Sequence, residues 1–151
     1  MKKYYLLLIL ILSLGLNSCL ESGLEDLPAF EDADITNFNF EVRWKDATTG
    51  DFRVYGLQNI PTIDTDNNTV SNKITVPAAN ANFPEEIRNA VSVGNIVGYC
   101  DLSTAATIEP VEGAPKLGVP GNFSSSVKYK VTAADKKTEK IWTVNTTIVS
   151  Q

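Results

Sequence analysis

Phe38, Phe40, Val42 and Trp44 fall on every second residue, with Asn39, Glu41 and Arg43 between them. Only an extended chain gathers such residues on one side, because successive side chains of a strand point to opposite faces, while a helix would scatter them around its circumference. The same period returns near the end of the chain in Val127, Tyr129 and Val131, and again in Trp142, Val144, Thr146 and Ile148. A strand with one apolar face must bury it against a second layer. A chain patterned in this way at both ends is therefore constrained to a two-layer β fold.

The segments between these runs fill in the expected architecture. Residues 45–50 read as a polar turn, and Phe52-Arg53-Val54-Tyr55 resumes extended character, which predicts a hairpin with the first strand. Residues 61–69 read as a loop. Its members Asp64, Asp66 and Asn68 space oxygens as a calcium loop would begin, but Thr69 and Thr75 stand where a glycine and a closing glutamate belong, so a plain polar turn is expected. A strand through Ile74 and Val76 ends at Pro77. Pro84 then opens a helical turn, with Glu85 and Glu86 at its start. Val91, Val93, Ile96, Val97 and Tyr99 form the densest apolar region and are placed at the centre of the core. A short strand follows at 104–108, closed by Pro110, and 111–122, rich in Gly and Pro, is the longest irregular loop. The closing hairpin turns at 134–137. The sum is an all-β, antiparallel β-sandwich of about seven strands.

Ahead of this domain lies a segment of another kind. Lys2 and Lys3 precede an apolar run over residues 4–16, which is shorter than the ~20 residues of a membrane-spanning helix and reads as an export signal. It ends in Leu16-Asn17-Ser18-Cys19, the pattern of a lipoprotein processing site. Cys19 is thereby expected to become the acylated first residue of the mature protein and to hold it at a membrane surface. Leu20, rather than Asp, follows the cysteine, which predicts sorting to the outer membrane. The domain reading is a signal peptide over 1–18, a lipidated and flexible acidic tether over 19–34, and a sandwich over 35–151. Removing 18 of 151 residues leaves 133, one domain's worth.

Charge and chemistry narrow the function. The net charge of −5 becomes −7 once Lys2 and Lys3 leave with the signal, which opposes nucleic-acid binding. Glu21, Glu25, Asp26, Glu31, Asp32 and Asp34 crowd the tether, and read equally as a solvated linker or as a surface-export signal. The chain has no His, so it holds no Ser-His or Cys-His couple and no imidazole metal ligand. Cys100, left without a partner once Cys19 is acylated, reads as a buried small hydrophobe. Adjacent Glu85 and Glu86 do not face each other as an acid–base pair would. No enzyme activity, cofactor or metal site is expected. Trp44, Tyr55, Phe83, Tyr99 and Trp142 could make a sugar-stacking platform, but aromatics alternating along strands more often belong to the core, and those in loops are the stronger candidates for ligand contact. Phe83 and Phe123 are named as such candidates, with Phe30 the third loop aromatic.

Leu24-Glu25-Asp26-Leu27-Pro28-Ala29-Phe30 with the strand at 37–44, Asn95-Ile96-Val97-Gly98-Tyr99-Cys100, and Tyr129-Lys130-Val131-Thr132-Ala133-Ala134-Asp135 followed by Trp142-Thr143-Val144 together resemble small surface lipoproteins of Bacteroidota. Those lipoproteins form a family of unknown function, and the closing hairpin is similar to immunoglobulin-like modules. Lys136 and Lys137 depart from the pattern, standing where that turn more often carries Gly. The resemblance implies an immunoglobulin-like sandwich, lipid-anchored in the outer membrane and facing the cell exterior. It also implies an accessory role beside TonB-dependent SusC/SusD-type uptake complexes, capturing a glycan, peptide or other nutrient. The competing expectation is a structural spacer that contacts protein and binds no small molecule.

Overall fold

In the computed structural model of the chain, residues 29–149 are described. They form strands β1 (Ile35–Lys45), β2 (Phe52–Gly56), β3 (Gln58–Asp64), β4 (Thr69–Thr75), β5 (Ile96–Leu102), β6 (Thr107–Val111), β7 (Pro120–Gly121), β8 (Val127–Thr132) and β9 (Glu139–Val149), with a short helix α1 (Glu85–Asn89) between β4 and β5. Two sheets, ordered β2-β1-β5-β7 and β3-β4-β9-β8-β6, make the β-sandwich that the alternation demands. The expected hairpins are present, β1 with β2 and β8 with β9, the latter setting Tyr129 opposite Trp142. The second sheet is mixed, because β4 lies parallel to β9.

The core is the sum of the inward faces. Phe38, Phe40 and Val42 of β1 meet Val70 and Ile74 of β4, Tyr129 and Val131 of β8, and Trp142 and Val144 of β9. Ile96 and Val97 are buried, as expected, but Tyr99 is exposed on the outward side of β5, and Val91 and Val93, in the segment before β5, are only half-buried. Two buried donors tie loops to this core. The Tyr129 hydroxyl donates to the Pro115 carbonyl at 2.7 Å, and the Trp142 Nε1–H donates to the Ala33 carbonyl at 2.9 Å.

Several expectations are corrected. Of residues 61–69, expected as a loop, 61–64 belong to strand β3, an edge strand whose Pro61 sits in register with Asn72, and 65–68 form the turn into β4. The chain leaves the first sheet at buried Leu57 and enters the second within one residue, so β2 and β3 are nearly continuous. β6 includes Pro110 instead of stopping at it, since an edge strand spares the proline a donor. With β3 and the two-residue β7 added, the strands among the described residues number nine where about seven are expected.

The tether is shorter than its composition suggests. Ser103 Oγ donates to the Asp32 carbonyl at 2.6 Å and accepts from the Asp34 amide at 3.0 Å, Lys140 Nζ lies 2.6 Å from Asp34 Oδ1, and Ala33 is fully buried. Residues 30–34 are thus strapped to the sandwich ahead of β1. The signal segment, the processing site Leu16, Asn17, Ser18 and Cys19, and the tether up to 28 lie outside the described residues.

Candidate functional site

β1 and β2 pair with Val42 opposite Tyr55, Trp44 opposite Arg53, and Arg43 opposite Val54. Facing residues of an antiparallel pair share a side of the sheet, so Trp44, Arg53 and Tyr55 point inward at the end of the sandwich while Arg43, Val54, Lys45 and Phe52 point outward. At this end the second sheet does not cover the inward side; the segment from Pro77 to α1 does. Backbone bonds between Asn80 and Phe83 of 2.9 and 3.0 Å close a tight turn, and Arg88 Nε donates to the Pro77 carbonyl at 3.0 Å.

Phe83 is the pillar of this arrangement. Its ring stacks on Tyr55 at 4.3 Å between centroids and 7° between planes, and lies 6.3 Å from the Trp44 ring. The Tyr55 hydroxyl accepts from Asn80 Nδ2 at 3.1 Å. Beyond this trio an open cleft of about 430 Å³ runs between β2 and the covering segment, lined by Trp44, Asp46, Arg53, Tyr55, Asn82 and Pro84 among others. The amides of Thr49 and Thr48 hold the Asp46 carboxyl below its ordinary range, with a smaller share from Arg53, whose Nε lies 3.6 Å from Asp46 Oδ2. The cleft therefore presents a fixed carboxylate, an exposed guanidinium and two half-buried rings. Its size is that of a ligand site.

On the outward side of the same strand pair lies an apolar groove of about 560 Å³ lined by Phe52, Val54, Pro120, Trp44, Arg43 and Lys45. Phe52 is 83% exposed and Val54 56% exposed. Arg43 is pinned above the groove, with Nη1 donating to the Gly118 carbonyl at 2.7 Å and the guanidinium paired with Glu41.

The two aromatics singled out from sequence do not reach solvent. Phe83 and Phe123 are both 0% exposed. Phe123 packs edge-on against Phe40 at 5.1 Å and against Phe38 at 6.4 Å, as a core ring. Phe83 belongs to the site, but as its support. The residues that do line the cleft and groove, Trp44, Tyr55, Phe52 and Val54, are strand residues, whose exposure depends on their place at the open end of an edge and not on their residue type. The signal available in the sequence was the adjacent pair Val54 and Tyr55, which puts apolar side chains on both faces of β2, with Phe52 beside Val54 on the outward one.

Elsewhere the titratable groups serve the scaffold. Burial, with a smaller effect from Asp101, pushes the half-buried Cys100 thiol up to about 11, which keeps it protonated at neutral pH. Asp64 Oδ1 accepts from the amides of Asp66 and Asn67 at 3.1 and 3.0 Å and its Oδ2 from Asn67 Nδ2, so the calcium-like spacing is used as a turn. Among the described residues no three of Asp, Glu, Cys or His come together as a metal site.

The fold and the open end define a small β-sandwich module with a ligand-sized cleft beside an edge strand. A model of the DUF5018-related family matches residues 35–145, and the chain belongs to that family. A crystal structure of a candidate secreted protein from Bacteroides fragilis is similar to it, with 41% identity and a TM-score of 0.71 over 80% of this chain and 98% of that one. A candidate glycoside hydrolase from Bacteroides thetaiotaomicron is 24% identical, with a TM-score of 0.48 over 85% of this chain and 28% of that one. No curated protein matches.

Proposed function

We propose that this protein is a non-catalytic binding component at the bacterial outer membrane, anchored through acylated Cys19 and working beside a TonB-dependent SusC/SusD-type uptake complex on the cell exterior. The observation that carries the reading is the open end of the sandwich, where Trp44 and Tyr55 line a ligand-sized cleft next to exposed Phe52 and Val54. Contiguous exposed apolar surface of this kind marks an interaction site in a secreted protein. The chemistry around it supports binding over turnover. The chain contains no His, the Cys100 thiol stays protonated, and Asp46 is held ionised by its own turn, which leaves it no proton to give as a general acid.

The anchor fits this placement. The processing site precedes the strap at 30–34, and β1 then runs from Ile35 to Trp44, nine steps of ~3.3 Å, or about 30 Å. The cleft thus lies at the far end of β1 from the side where the tether enters. The test is gentle affinity isolation of the tagged lipoprotein from outer membranes. Co-recovery of a transporter barrel and its lid in stoichiometric amount is the expected result. Recovery of the protein alone, or a Cys19→Ser protein that still partitions with membranes, would refute it.

A further inference from the structure

Four strands edge the two sheets: β2 and β7 in one, β3 and β6 in the other. Three of them carry a proline within the strand, Pro61 in β3, Pro110 in β6 and Pro120 in β7, and a proline blunts an edge by removing a donor. β2, Phe52-Arg53-Val54-Tyr55-Gly56, carries none. The Leu57 amide donates to the Phe40 carbonyl at 2.9 Å, which makes Leu57 and Phe40 a hydrogen-bonded pair. By the alternation of an antiparallel ladder, Tyr55 and Arg53 then also bond to β1, while Gly56, Val54 and Phe52 turn their N–H and C=O groups away from it. Among the described residues those outward groups have no partner within the protein.

The two cavities flank this edge, the polar cleft on the inward side and the apolar groove on the outward side, and Val54 lines both. A strand added beside β2 would drop alternate side chains into one and then the other. We infer that β2 is a docking strand, and that the cleft and groove together take an extended peptide segment of a partner protein by main-chain pairing to Phe52, Val54 and Gly56. This rests on the binding role proposed above and names what the site binds. The segment's chemistry follows from the lining. Residues toward the groove are apolar, to cover Phe52, Val54 and Pro120, with a carboxylate near Lys45, which forms no ion pair among the described residues. Residues toward the cleft are polar, to meet Asp46, Arg53 and Asn82. Backbone pairing supplies affinity in such complexes, and the alternate pockets supply selectivity.

The test uses the full mature chain and a random dodecapeptide display library, with the selected peptide remade synthetically. The expected peptide alternates apolar and polar residues and shifts the amide resonances of Phe52, Val54 and Gly56. Val54→Pro, which removes one outward donor at an edge that tolerates proline, is expected to weaken binding at least tenfold with the thermal transition retained. N-methylating alternate residues of the peptide, which leaves the protein untouched, is expected to do the same. Selection of no peptide above background, binding indifferent to N-methylation, or a glycan array giving ligands whose affinity Val54→Pro leaves unchanged would each overturn the inference. Co-recovery of the transporter with a Val54→Pro protein would sink the docking strand while sparing the accessory role, whereas failure of the wild type to recover it would sink that role first.

Discussion

A Cβ placed on Gly98 would stand 2.7 Å from Phe123 Cζ and 3.2 Å from Phe38 Cε1. The missing side chain is the seat of the Phe123 ring, and this is why a loop aromatic ends in the core. Gly98→Ala is expected to lose about 1–3 kcal/mol through overpacking in a ring cluster that has no room to shift, measured by urea denaturation with an unchanged m-value. The same site shows the limit of reading residues one at a time. Phe123 stands among Ser and Gly in a loop-like stretch, and nothing local reveals that a glycine some 25 residues earlier has left a hole for it. Trp142 was legible, because the period of two placed it inward. Trp142→Phe strands the Ala33 carbonyl and is expected to destabilise by about 1–3 kcal/mol, together with faster hydrogen exchange over residues 30–34.

At the scale of elements, three turns share one device. Asp46 Oδ1 accepts from the amides of Thr48 and Thr49, Asp64 Oδ1 from those of Asp66 and Asn67, and Asp135 Oδ1 from those of Lys137 and Thr138. Each carboxyl is held below its ordinary value of 3.8, chiefly by these amides and, for Asp64, first by the Asn67 side chain. Groups with a depressed folded pKa bind fewer protons folded than unfolded, so their stabilisation is complete above the unfolded value and is lost as pH falls through the folded one. The melting temperature is therefore expected to hold from pH 7 to 5 and to drop below about pH 4. Asp135→Asn, which keeps an accepting oxygen but cannot titrate, should flatten that drop. Lys136 takes a left-handed φ of +58° in the same turn, where sequence pattern favours Gly. Lys136→Gly is expected to raise stability by about 0.5–1 kcal/mol, read as a higher melting temperature. The main hairpins were legible because both members alternate. β3 was not, because its Pro61 and its polar Gln58, Asn59 and Thr62 describe a loop, and only its pairing with β4 makes it an edge strand.

Across the whole molecule, the architecture sorts surface by use. The outward face of the second sheet carries a charged ladder in which Lys130 pairs with Glu109 and Glu139, and Lys128 with Glu112. Ile60 and Ile141 are exposed singly on that sheet, whereas the first sheet exposes Phe52 and Val54 side by side at the end of β1 remote from the strap. The sandwich was readable from the two alternating ends of the chain. The site was readable only in part: Trp44 and Tyr55 stand among the aromatics of a stacking platform, but Asn82 joins them from a covering loop and the aromatic support Phe83 lies hidden beneath. In the role proposed above, the β2 end is the face that engages a partner. Position-specific photo-crosslinking in intact cells tests it most directly, with the cross-linker at position 54 compared with position 147 on the outward side of β9. The prediction is one discrete adduct with an outer-membrane transporter component from 54 and none from 147; adducts from both positions alike, or from neither, would contradict it.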